Sequence, residues 1–202
     1  MPLATCKGQL PAPPQAERGR GEEGPRRVIM QEIKNLEQLF YHELQVLWSA
    51  EKMLIERLPV MIERAKHPGL KKMLATHLAE TDQQKVALEQ MCKQLGIDPA
   101  GDHNPGIEGI LKEGEKVMAK DATDEAMDAA LIAGAQKVEH YEISGYGTAA
   151  HLANMLGHEF LAKKLYAILA EEQDADTKLN FLAKDVINAK AMGTSAVRTH
   201  PV

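Results

Sequence analysis

From Leu36 onward, apolar residues recur at three-four spacing through four long runs, and few punctuating residues interrupt them: His67-Pro68-Gly69, Gly96 and Gly157. That period is the period of an α-helix with one buried face, and Pro and Gly end such helices. The spacing predicts a first helix from about Met30 to Lys66, kinked at Pro59, and a second from Gly69 or Leu70 to Leu95. The stretch "GIDPAGDHNPG" after Leu95 reads as a loop, and a short helix follows from about Ile107 to Ala119. Thr123 is placed to cap a third long helix that runs to Leu156, and a fourth runs from His158 to about Ala189. With 44% hydrophobic and only 4% aromatic residues, the chain is expected to be all-α. Two helical hairpins joined by a long connection containing a short helix predict an antiparallel four-helix bundle with a crossover between its second and third long helices.

Residues 1–29 are rich in Pro, Gly and charge and have no period, so they are expected to form a disordered tail. Met30, where the pattern begins, is then a candidate for the true start. The bundle is expected over residues 30–190 and a frayed tail over 191–202. A net charge of -5 provides no field to attract nucleic acid. No apolar run approaches the roughly 20 residues of a spanning helix, and the tail has no apolar signal core. Cys6 and Cys92 lie far apart in no paired motif. A soluble protein of the reducing cytoplasm fits these features.

The apolar stripes carry the functional information because of what interrupts them. The first helix reads Leu36, Phe40, Leu44, Leu47, Glu51, Leu54, Leu58, Met61, and Glu51 is its single charge. The third reads Leu131, Ala135, Val138, Glu142, Gly145, Ala149, Leu152, with Glu139 one turn before Glu142. In the fourth, Glu172 interrupts Leu161, Leu165, Ile168, Leu179 and Leu182, and Asp176 follows it by one turn. The second helix places His77, Thr81 and Gln84 in its stripe, with Glu80 at the flank. Each interruption falls near the middle of its helix, so in an antiparallel bundle all four meet at one level. One such Glu alone reads as a boundary residue; four at one height do not.

Buried carboxylates need protons, basic partners or cations. The nearest lysines, Lys52, Lys137 and Lys178, are expected to point elsewhere, so bound metal is the natural counter-charge. Carboxylates with a few nitrogen or amide donors and no thiolate suit iron or manganese, and two bridged ions would account for the number of acids. The candidate ligands are Glu51, Glu80, Glu139, Glu142, Glu172 and Asp176. His77 is either a ligand or a buried histidine bonded to Glu80 or a backbone carbonyl. Gln84 reads as a weak ligand or as a donor that orients one, and Tyr146, one turn after Glu142, as a hydrogen-bond partner of a carboxylate. His140 points to another face, while Trp48 and Tyr141 read as packing residues.

The segments "LFYHELQVLWSAEKMLIERLP", "HLAETDQQ", "DAALIAGAQKVEHYEISGYGT" and "LAEEQDADTKL" resemble the YciE/YciF family of ferritin-like proteins. The likeness spans roughly Lys34 to Lys190. It implies a ferritin-like bundle, a homodimer, a bacterial stress role and a di-iron site. Glu139-x-x-Glu142 is similar to the rubrerythrin branch, which implies Glu51, Glu80, Glu142 and Glu172 as core carboxylates and Glu139 as an exchangeable one. The chain departs from the wider E-x-x-H pattern: Gln83 and Ala175 stand where histidines are frequent, with Gln84 and Asp176 one residue later. No C-x-x-C electron-transfer module is present, and no clear fifth helix follows the fourth. The activity implied is oxidation of Fe(II) by O2 or H2O2. The alternatives are a dimanganese, catalase-like enzyme and a metal-free structural or partner-binding stress protein.

Overall fold

A computed structural model describes residues 32–193 of the chain. The expected N-terminal tail, Met30 and most of the C-terminal tail lie outside the described residues. Helix α1 spans Leu36–Arg64 and passes through Pro59, α2 spans Pro68–Leu95, α3 Pro105–Met118, α4 Asp124–Met155 and α5 Glu159–Leu182. A single π-helical turn, Ala183–Ile187, leads to a final helical turn, α6, Asn188–Ala191.

Local chemistry explains most of these boundaries. The Asn35 side chain accepts from the Gln38 amide and starts α1, so residues 32–35 stand outside the helix that periodicity had extended from Met30. Thr123 caps α4 by accepting from the Ala126 amide. Gly96 and Gly157 take the left-handed backbone, at φ 70° and 79°, that ends α2 and α4. The π-helical turn departs from the expected continuous fourth helix. It keeps Ala183 and Ile187 buried alongside Leu179, so the widened turn still serves the core.

The described fold is a helical bundle of two hairpins, α1–α2 and α4–α5, with α3 packed across α1 and α4 within the crossover. Contacts are dense within each hairpin and sparse between α2 and α5. Buried hydrogen bonds fix the connections. Asp128 of α4 accepts from the Lys66 and His67 amides at 2.7 and 2.8 Å, which holds the α1–α2 turn. Asn104, fully buried, donates to the Val46 carbonyl and accepts from the Ile107 amide and the Tyr141 hydroxyl, so the crossover is tied to α1 and α4. Tyr141, expected only to pack, thus also anchors this loop.

Two dry cores fill the bundle. One contains Phe40, Leu44, Leu88, Met91, Cys92, Leu161 and Leu165. The other contains Leu54, Leu58, Leu70, Leu74, Leu131, Leu179 and Ile187. Each fully buried Leu or Phe in them contributes on the order of 1.5–3 kcal/mol. Burial, reinforced by the nearby charges of Asp98 and Glu89, pushes the Cys92 thiol up to about 12. No helix among the described residues is long and apolar enough to cross a membrane.

Candidate metal centre

Between the two cores lies a polar layer drawn from all four long helices: Glu51 on α1, His77, Thr81 and Gln84 on α2, Glu139 and Glu142 on α4, and Glu172 on α5. Every one of these side chains is buried. The i, i+3 and i, i+4 spacings put Glu139 with Glu142, and His77 with Thr81, on single inward faces. Helical register and antiparallel pairing then bring the four helices' contributions to one height.

One ligand atom from each of His77, Glu139, Glu142 and Glu172 lies within 4.8 Å of the others. His77 Nε2 is 3.7 Å from Glu139 and 3.9 Å from Glu142, while its Nδ1 is 3.9 Å from Glu172. Glu51 joins the group through Glu142, whose carboxyl it approaches, and Glu139 approaches Glu172 in the same way. Tyr146 donates its hydroxyl proton to Glu51. Gln84 Nε2 donates to Glu172 at 2.5 Å and to Glu171 at 3.1 Å.

Much of this layer's bonding capacity is unused. Apart from the carboxyl–carboxyl approaches, both Glu142 oxygens, one oxygen each of Glu51, Glu139 and Glu172, both His77 ring nitrogens and the Gln84 carbonyl oxygen have no hydrogen-bond partner. Buried polar atoms are nearly always paired, so a concentrated set of orphans calls for an external partner. Electrostatics gives the same answer. Burial, then the neighbouring acids, raises Glu139 to about 10 and Glu142 well above the usual carboxylate range. Burial raises Glu51 to about 8 against the lowering bond from Tyr146, and Glu172 to about 7 against bonds from Glu139 and Gln84. Burial lowers His77 to about 4, so its ring is neutral and its nitrogen free to ligate. Among the described residues no Lys or Arg is buried to compensate the acids. Oxygen-rich donors with one imidazole, orphaned and converging, fit a hard or borderline metal cation.

The lysines behave as expected: Lys52 lies over the Trp48 ring, Lys137 pairs with Glu113 and Lys178 with Asp174. His140 is exposed, 3.6 Å from Asp176. Two expected ligands stand outside the group. Glu80 is half-buried and faces Glu171, Lys178 and Asp174, because one step of 100° from the α2 stripe takes it into the groove between α2 and α5. Asp176 accepts from Gln136 at 3.1 Å at the layer's edge, where its side chain stays about 21% exposed and reaches solvent. Sequence reasoning did not single out Glu171, which shares the Gln84 amide with Glu172; its adjacency to Glu172 was the available signal. It also passed over Asp128, although this residue lies three before Leu131 on the same stripe.

Helix order, crossover and a buried carboxylate–histidine layer define the class as a helical bundle with a candidate metal site. Residues 35–192 match a family model described as "Domain of unknown function (DUF892)", and the chain belongs to that family. It is 38% identical over 160 residues to Protein YciF of Escherichia coli, covering 79% of this chain and 96% of that one. The crystal structure of the E. coli stress protein YciF superposes with a TM-score of 0.74 at 37% identity, over 77% of this chain and 99% of that one. YcfI from Rhodopseudomonas palustris superposes with a TM-score of 0.71 at 41% identity, over 74% and 96%. The expected YciF family relationship therefore holds.

Proposed function

We propose that the polar layer binds two divalent metal ions, iron in the cell, and that the protein oxidises Fe(II) with O2 or peroxide in the stress setting named for its E. coli relative. One observation carries this reading. Four fully or almost fully buried glutamates carry four negative charges once their protons are displaced, with no Lys or Arg buried among the described residues and a neutral His77 beside them. Two divalent ions neutralise that charge, whereas one leaves two charges stranded in a dry interior.

The roles follow from the atoms. Glu51, Glu139, Glu142 and Glu172 hold the ions, and His77 supplies the nitrogen donor. Tyr146 fixes Glu51, and Gln84 fixes Glu172, each by a hydrogen bond to one oxygen that leaves the other free. Neither Glu139 nor Glu142 receives a side-chain hydrogen bond of this kind, and the Glu139-x-x-Glu142 likeness to the rubrerythrin branch makes Glu139 the one that changes its binding mode. Bound iron supplies the electrons for oxidant reduction, while the two apolar cores close the layer off on either side along the bundle. Oxygen donors stabilise the oxidised, harder ion more than the reduced one. We carry a homodimer and a cytoplasmic setting with this reading; size-exclusion chromatography with light scattering tests the assembly.

Anaerobic Fe(II) titration followed by O2 or H2O2, monitored by absorbance, tests the proposal. Two ions per chain and a ferric band are expected, with both lost in Glu142→Ala and Glu172→Ala. Unchanged iron stoichiometry in those variants would remove the assignment. Elemental analysis of protein purified without added metal separates iron from manganese, which the same oxygen-rich donors also suit.

A further inference from the structure

Among the described residues, a cleft of about 670 Å³ opens between α2 and α5. Its inner wall includes His77 and Glu139, whose side chains are more than nine-tenths buried and carry unpartnered atoms. Its rim carries Glu80, Glu171, Asp174 and Asp185, against Lys72 and Lys178. Lys178 pairs with Asp174 and also lies near Glu80, so the rim sets four carboxylates against two lysines and stays net negative. Two smaller cavities of about 210 Å³ each, one between α1, α3 and α4 and one beside Tyr141, touch none of the layer's acids or His77. The cleft also coincides with the sparsest contacts between long helices that pack together in the bundle.

Glu171 and Glu172 are linked across this wall, since the Gln84 amide donates to both. One partly exposed carboxylate cluster therefore stands a single side chain away from the buried one. We infer that the α2–α5 cleft is the entrance through which a divalent cation reaches the layer, and that Glu80 and Glu171 form a transient collecting site at its mouth, passing the ion to His77 and Glu139. This rests on the two-metal reading above. It also gives Glu80 a role that its position outside the ligand group leaves open. Negative rim charge raises the local cation concentration and the rate of capture without contributing to the final coordination.

Co(II) uptake followed by stopped-flow absorbance separates rate from endpoint. In the Glu80→Gln/Glu171→Gln double variant, loading is expected to slow by about threefold to tenfold, with a weaker salt dependence and the wild-type stoichiometry. Ala175→Leu, which narrows the cleft without changing charge, is expected to slow loading as well. Asp121→Asn/Glu125→Gln, with the same change in net charge on exposed residues elsewhere, is expected to keep the wild-type rate. An unchanged rate in the Glu80/Glu171 variant overturns the collecting site, and so does an equal slowing in the distant control. Reduced stoichiometry also overturns it, because these residues would then be ligands. Failure of the wild type to take up any Co(II) sinks the two-metal reading itself and is seen before any variant is made.

Discussion

Two sets of buried polar side chains in this bundle behave in opposite ways. Asn104 and Asp128 are almost completely buried, yet each finds its partners within the chain: three side-chain hydrogen bonds for Asn104 and two backbone amides for Asp128. The glutamates and His77 of the central layer are equally buried and leave most of their atoms unanswered. Burial alone therefore does not mark a functional residue. A structural polar group arrives with its partners, and a ligand-binding one is left waiting for a partner from outside.

The sharpest way to break this contrast is to remove or add metal while changing pH. In the metal-free chain Glu172, Glu51 and Glu139 are raised from 4.5 to about 7, 8 and 10. The folded state thus keeps protons that the unfolded chain has released. The stability this contributes is complete below about pH 4.5 and is lost as pH rises through those values. His77, lowered from 6.5 to about 4, acts at the other end, costing stability as pH falls between those limits. Chelated protein should therefore melt highest near weakly acidic pH and progressively lower from pH 6 to 9. Metal-loaded protein should reverse the trend, because metal competes with protons for the same oxygens. Each site filled at a hundred times its Kd adds about 2.7 kcal/mol, so differential scanning calorimetry should show a gap that widens with pH. Identical melting with and without chelator at pH 8 would erase the distinction between the two polar sets.

Next in size is Asp128→Ala. It strands two backbone amides at the α1–α2 turn and should cost about 2–4 kcal/mol, lowering Tm with unchanged metal stoichiometry. Glu142→Leu should have the opposite sign in the metal-free state. Replacing an unpartnered buried acid by an apolar side chain should raise Tm, by about 1–2 kcal/mol in stability, while metal binding disappears. Destabilisation of that variant in the presence of chelator would place Glu142 with the structural set. The smallest effect is expected from Tyr146→Phe, which removes the bond to Glu51 and should cost about 1 kcal/mol while leaving two ions bound.

Much of this was legible in the chain because helical period converts position into height. Glu51, Glu142 and Glu172 interrupt their stripes near the helix midpoints, and the bundle brings them together. Thr123, Gly96 and Gly157 mark ends through backbone chemistry that acts locally. Glu80 and Asp176 lie one helical step from a stripe, where the rotation of each helix about its axis decides between layer and groove. That rotation is set by packing across α2 and α5, and three-four counting carries no information about it. The start of α1 was hidden for a related reason: Ile33 prolongs the apolar period, but the side chain of Asn35 caps the N-terminus of the helix and sets its start there.

Cys92 sits in a dry core with its thiol held far from ionisation, although oxidant is proposed to react one layer away. A protonated, inaccessible sulfur is a poor nucleophile toward peroxide. Damage over repeated exposure should then accumulate on the solvent-facing thioethers of Met155 and Met192 and spare the interior. Ageing of this molecule would begin at its skin, as reparable sulfoxides visible by peptide mass mapping, while the framework around its centre keeps its shape.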